Sequence, residues 1–223
     1  MKKNLTHAEA EAITQRVREF ESRTGIQLVA AVVGKSHAYP QLPWKAFALA
    51  VSLAGFVVVL ADGLRPDWVT ASSVLLQTAA VLAAGAAAAL LAVFVPSFAR
   101  LFLRPPRREF EVHRYAQTMF LEKELFATRQ RNGVLLLVSL FEHQVEIVPD
   151  RGFAPRVNAA DWGKVVATMT PLLRDGRPGD AMLAGLAAAE AMLVDKAFTP
   201  GATPGNELPD RPIDTEGVRG VDE

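Results

Sequence analysis

The residues of this chain best suited to chemistry are Asp150, Asp161 and the side chain of Asn132. All three are hard oxygen donors, and a calcium ion takes six to eight such ligands at roughly 2.3 to 2.6 Å. Three donors leave the shell to be completed by backbone carbonyls and water, and no segment has the spacing of an EF-hand loop. Asp150, Asp161 and Asp180 could also supply carboxylates to a metal-assisted hydrolysis in which the ion activates a water. No local motif ties them together. The competing assignment is structural, with Asp150 capping a turn and pairing with Arg151, and Asp161 favouring a helix start. Glu142, His143 and Glu146 surround a second turn. Alternation puts the two glutamates on one face and His143 on the other, so a surface turn is expected there. His7, His37 and His113 have no partner four residues on and read as surface or interfacial groups. No Gly-rich phosphate loop follows an apolar run and no Gly-x-Ser-x-Gly elbow occurs, which removes the nucleotide-dependent and serine-hydrolase classes. The absence of cysteine excludes disulfides, thiol nucleophiles and thiolate metal sites. With 24 basic against 24 acidic residues, the chain lacks the charge of a general nucleic-acid binder.

Those residues must be positioned by an α/β framework. Thr6-His7-Ala8-Glu9 has capping-box spacing and predicts a helix start, with Ile13, Val17 and Phe20 on one apolar face and Thr24-Gly25 as its stop. Ile26 to Val33 is a nearly unbroken apolar run, which suits a central strand covered on both sides. Phe110 to Arg131 reads as a helix with Ala116, Met119, Phe120 and Leu125 inward, stopped at Asn132-Gly133. Val134 to Leu140 and Gln144 to Val148 predict an antiparallel hairpin. Pairing Leu140 with Gln144 puts Val134 beside Asp150, and so gathers Asn132, Gly133, Asp150, Arg151 and Gly152 at one edge of the sheet. The first strand is expected parallel to the second, since a helix intervenes. Asn158 with Asp161 predicts a further helix to Leu173, and Ala181 to Phe198 another. Beyond Thr199, Pro, Gly and charge dominate, which predicts a flexible tail over 199–223.

Two apolar stretches interrupt this domain, about 44–61 and 71–95. Roughly 20 apolar residues suffice to cross the hydrocarbon core, so the pair reads as a transmembrane hairpin occupying 39–106, between soluble arms at 1–38 and 107–198. Trp44 and Lys45 are placed to anchor one end at the interface, and Arg100, Arg104, Arg107 and Arg108 the other. The connection between the spans holds one Arg, so the positive-inside bias predicts that it faces out and that both termini are cytoplasmic. The opening segment is charged and helical where a secretory signal would be apolar, so no cleavage is expected. Small residues four apart in the second span, Ala79, Ala83 and Ala87 with Gly85 and Ala89, predict close approach to Ala50, Ala54 and Gly55 of the first. No ionisable residue lies at mid-membrane, which argues against a transport path.

The run Asn132-Gly133-Val134-Leu135-Leu136-Leu137-Val138, then Val145-Glu146-Ile147, Asp150-Arg151-Gly152 and Pro171-Leu172-Leu173-Arg174, resembles the TPM domain family in letters and spacing. The tail Asn206-Glu207-Leu208-Pro209-Asp210 looks like a bacterial membrane-embedded branch of it. The resemblance covers about Leu5 to Phe198 and implies an α/β/α sandwich with a small mixed sheet. It also implies calcium as a possible ion, since some members bind it. Family members include a thylakoid-lumen protein described as an acid phosphatase, a photosystem repair factor and a receptor-modulating membrane protein. This chain departs from them in carrying its spans inside the domain. The combined expectation is a protein of the bacterial inner membrane whose cytoplasmic domain is a non-enzymatic adaptor for another membrane or cytoplasmic protein, with the lipid bilayer as its other partner. The alternatives are a metal-dependent, phosphatase-like hydrolase and a purely structural membrane component.

Overall fold

The computed structural model describes residues 4–64, 70–198 and 207–218. The chain divides into two compact units, Met1–Ala38 with Pro106–Glu223, and Tyr39–Pro105.

In the first unit, helix α1 (His7–Thr24) opens on the Thr6/Glu9 capping box and closes at Gly25, whose φ of 69° supplies the left-handed turn. Strand β1 (Gln27–Lys35) follows directly. Helix α5 (Pro105–Glu122) leads through a short 3₁₀ turn at Leu125–Ala127 into β2 (Gly133–Ser139), and β3 (Gln144–Pro149) returns antiparallel to it. A second 3₁₀ turn at Arg151–Phe153 leads to α6 (Ala159–Arg174) and α7 (Pro178–Asp195). The chain is mixed α/β, with a four-stranded sheet in the order β3-β2-β1-β4, where β4 is Ile213–Gly217. β1 runs parallel to β2, as the crossover helix requires.

Both faces of the sheet are covered. Leu28, Ala30, Val32, Leu136 and Val138 pack with Ile13, Val17 and Phe20 of α1, Val165 and Met169 of α6, and Leu186 of α7. Val29, Ala31, Val33, Leu135 and Leu137 pack on the other side with Val112, Ala116 and Phe120 of α5. Full burial on both faces explains why Leu28–Val33 of β1 and Val134–Val138 of β2 are apolar at every position instead of alternating. Each large side chain so buried contributes about 1.5 to 3 kcal/mol.

Four expectations are corrected. The helix predicted to reach Arg131 ends at Glu122: Glu124 takes a left-handed φ of 52° and turns the chain into the 3₁₀ segment that buries Leu125. The left-handed stop before β2 is Arg131 (φ 52°), not Asn132-Gly133. The hairpin register is one residue off, with Ser139 opposite Gln144 and Val134 opposite Pro149. Leu140 cannot pair with Gln144 because its N–H is taken by the Val33 carbonyl at 2.9 Å, and Phe141 likewise bonds Gly34. Finally, the flexible tail is replaced over its described part by β4 (Ile213–Gly217), parallel to β1. β1 needs a partner on that side, and backbone pairing supplies one without demanding apolar composition. Asp214 fastens the strand by accepting from the backbone N–H groups of Asn4 and Leu5 at 3.0 to 3.1 Å and from Asn4 Nδ2 at 2.8 Å. Residues 199–206 and 219–223 lie outside the described residues.

The second unit is a helical hairpin, α2 (Gln41–Leu64) and α3 (Ala71–Phe94), followed by the five-residue α4 (Pro96–Arg100). Both long helices are long and apolar enough to cross a membrane. Gly85 is the point of closest packing, where a Cβ would meet Val51 and the Phe47 ring. Ala50 and Ala54 lie half-buried on α2, but Gly55 stands off the seam, with open space where a Cβ would sit. Ala79, Ala83 and Ala87 instead face outward, because helical rotation carries them off the face that Gly85 and Ala92 present to α2. Gln77 Nε2 donates to Asp62 Oδ1 at 2.8 Å. Trp44 is 73% exposed, and Lys45 Nζ donates to the Phe102 carbonyl at 3.4 Å. Arg100 Nε donates to the Pro96 carbonyl, and Arg104 is exposed.

Candidate functional site

The predicted polar edge assembles at the ends of β1 and β2 where both strands start. Asn132 Nδ2 donates to the Gly25 carbonyl at 2.7 Å, and the Asp150 N–H donates to the Gly133 carbonyl at 2.9 Å. Gly133 and Gly152 are there for close backbone approach: a Cβ on the first would strike the Leu125 carbonyl, and on the second the Arg131 carbonyl.

Both carboxylates among the candidate calcium ligands are engaged by basic side chains of the chain itself. Asp150 is buried and faces Arg131 with both oxygens, Nη2 at 3.0 Å from Oδ1 and Nε at 2.8 Å from Oδ2. Its Oδ1 also accepts the Arg151 N–H at 2.7 Å, which caps the 3₁₀ turn. The expected partner Arg151 thus contributes only its backbone, and Arg131 is the ion-pair residue that sequence reasoning missed. Asp161 closes the capping box with Asn158 and pairs with Lys196 Nζ at 3.0 Å. The Asn158 N–H, aided by Lys196, holds its carboxyl below the usual range. Asp180 pairs with Arg177 at 2.8 Å. With each carboxylate committed elsewhere, no group of three His, Asp or Glu residues converges among the described residues.

What the edge does border is a groove of about 610 Å³ between β3 and α6. Val145, Ile147 and Pro149 form its strand side. Phe153, Val157 and Trp162 form its floor, with Ala159, Gly163 and Val166 along α6. Phe153 and Trp162 meet edge-on at 5.8 Å between centroids, and Phe153 stacks on Phe198 at 5.4 Å. The charged lining is Glu146, Asp150 and Arg151. Glu146 is held by His113 Nδ1 at 2.7 Å, and His113 Nε2 is met by Gln117 Nε2 at 2.8 Å, four residues on. His7 pairs with Glu11 at the same spacing, so two of the histidines expected to lack such partners have them. Arg151 is exposed and has no ion-pair partner among the described residues.

Sequence reasoning also missed two polar clusters. Glu142, assigned above to a surface turn, is fully buried. It accepts from the Ser36 N–H at 3.0 Å and from Ser139 Oγ, which in turn accepts from Ser36 Oγ at 2.8 Å. Nearby, burial lowers the Lys35 ammonium while Glu142 pulls the other way. The bonds within this cluster tie the ends of β1 and β2 to the hairpin turn. On α1, Glu21 accepts the Leu28 N–H at 2.9 Å, and burial, with Asp210 close by, raises its carboxyl to about 7. Asp210 itself pairs with Arg18 at 2.8 Å. The only local signal for either cluster was an acidic residue beside an apolar run.

The TPM domain family profile matches residues 70–192, starting at the second apolar helix and ending within α7. No curated protein matches the chain. The NMR structure of the BA42 protein from the psychrophilic bacterium Bizionia argentinensis sp. nov. is similar in fold, with a TM-score of 0.54 at 15% identity, covering 95% of this chain and 94% of that one. Since the profile spans more than half of its length, and includes the strands, the 3₁₀ edge and α6 that build the groove, this chain belongs to the TPM domain family.

Proposed function

We propose that this chain is an integral membrane protein of two spans whose TPM domain is a non-enzymatic docking module for another protein. The groove between β3 and α6 carries this reading. It combines an apolar floor, an open strand edge and one cation without an ion-pair partner among the described residues, and its carboxylates are engaged by Arg131 and by a hydrogen bond from His113. Such a surface binds; it has no convergent nucleophile, base or ion ligands with which to react.

The membrane reading is supported by the outward faces of α2 and α3. Leu53, Phe56, Val57, Val59, Leu75, Leu76 and Leu82 are all more than half exposed, a surface suited to lipid and costly in water. Lys45, Arg100, Arg104, Arg107 and Arg108 flank the hairpin at its open end, against one Arg in the connection, so the domain lies in the cytoplasm. In a bacterium this is the inner membrane. The chain has no cysteine, so single-cysteine labelling is clean. Ser72→Cys is expected to react with an impermeant maleimide in intact cells, and Gly163→Cys only after permeabilisation. The reverse pattern would overturn the orientation.

The docking role is tested by a photo-crosslinking amino acid at position 163, where a side chain meets open space, with Val194 on the exposed side of α7 as the control position. A defined protein adduct from position 163 alone is expected. Identical adducts from both positions, or none from either, would favour a purely structural membrane component.

A further inference from the structure

The docking reading leaves open what the groove recognises, and the hydrogen bonding of β3 narrows it. In an antiparallel pair, backbone groups point alternately toward and away from the partner strand. The Asp150 N–H bonds the Gly133 carbonyl, and Gly152 bonds Arg131 in the same register. Residues 144, 146, 148 and 150 therefore direct their N–H and C=O groups at β2. Val145, Ile147 and Pro149 direct theirs away from it. β3 is the last strand on its side of the sheet, and no described residue pairs with that outer edge. Two donors and three acceptors stand there in extended spacing, and Pro149, lacking an N–H, ends the row.

An open edge beside a helix is the geometry of strand addition, in which main-chain bonds give affinity and pockets for alternate side chains give specificity. Here the α6 side of the edge is apolar, with Trp162, Gly163 and Val166 facing the space an added strand would fill. Beyond Pro149 stands Arg151, a lining charge whose side chain has no ion-pair partner among the described residues. A guanidinium in that position is complementary to a carboxylate.

We propose that the groove takes an extended apolar peptide as a fifth strand along β3, with a carboxylate of that peptide held by Arg151. This rests on the docking reading and specifies the chemistry of the partner. The carboxylate is either an acidic side chain or a chain terminus.

The test uses the full chain in detergent micelles and a displayed pool of random heptapeptides with free C-termini. The pool is counter-selected against the Gly163→Trp protein, whose added indole fills the groove. Enriched peptides are expected to alternate apolar residues and to carry Asp, Glu or a required terminal carboxylate, the last identified by loss of binding in the C-terminal amide. Arg151→Glu should weaken them by about tenfold, the scale of one charge-assisted bond. N-methylation should cost about tenfold at every second amide and little at the amides between, because only alternate amides face β3. Peptides that bind the Gly163→Trp protein equally well, or no enrichment at all, would overturn the docking reading and this inference together. Peptides excluded by Gly163→Trp but indifferent to N-methylation, or to the charge at position 151, would leave docking intact and overturn strand addition.

Discussion

Raising the pH from 5 to 8 should destabilise the domain through a single carboxyl group, and Glu21→Gln should abolish that part of the dependence. Glu21 sits on α1 where it accepts the Leu28 N–H, with Asp210 of the returning C-terminal segment close by. Burial, reinforced by Asp210, raises its carboxyl from 4.5 to about 7. The folded protein therefore holds this proton to a higher pH than the unfolded chain does. The stabilisation is complete below about 4.5 and is lost as pH rises through about 7. At about 1.36 kcal/mol per unit, a shift of this size corresponds to roughly 3 kcal/mol, and partial exposure of the carboxyl reduces this to about 1 to 2 kcal/mol. Gln keeps the acceptor for Leu28 and stays neutral throughout. Melts of the full chain in detergent at pH 5, 6.5 and 8 should show the wild type losing roughly 2 to 8 °C more than the variant across the range. Other titrating groups are common to both proteins and cancel in the difference. Relative to the intrinsic base-catalysed rate, hydrogen-exchange protection of residues 207–218 should fall with pH in the wild type only, since Asp210 lies in that segment. Parallel pH profiles for the two proteins would refute the reasoning.

Three further outcomes are expected. Gly163→Ala should raise stability by about 0.5 to 1 kcal/mol in denaturant titration, because Gly163 lies inside α6 with open space beyond it and gains only helix propensity. Glu142→Ala should cost about 2 to 5 kcal/mol in the same titration, since it strands the buried Ser36 N–H and the Ser139 hydroxyl without an acceptor. Asp214→Ala should cost about 1 to 3 kcal/mol and speed hydrogen exchange across β4, because the Asn4 and Leu5 N–H groups lose their shared acceptor.

Much of this protein was legible locally. Capping boxes at Thr6 and Asn158, the glycine at position 25, and the uninterrupted apolar runs of β1 and β2 each reflect interactions within a few residues, so their letters report their conformation. The two apolar helices were equally plain, since length and composition alone set that property. Even the gathering of Asn132, Gly133 and Asp150 at one end of the sheet followed from counting along a hairpin, despite a register one residue off. What the side chains do there was not legible, because each depends on a partner far along the chain. Asp150 faces Arg131 across 19 positions, Asp161 faces Lys196, and Glu142 is buried only because the end of β1 lies over it. β4 was hidden for a related reason: Ile213–Gly217 is held by backbone pairing with β1 and by Asp214 reaching Asn4, which its polar composition does not announce. The groove, likewise, exists only once α6 packs beside a strand edge that no other described strand pairs with. Local chemistry determined the elements, and long-range pairing decided which of their polar residues are spent on structure and which, like Arg151, stay exposed without an ion-pair partner among the described residues.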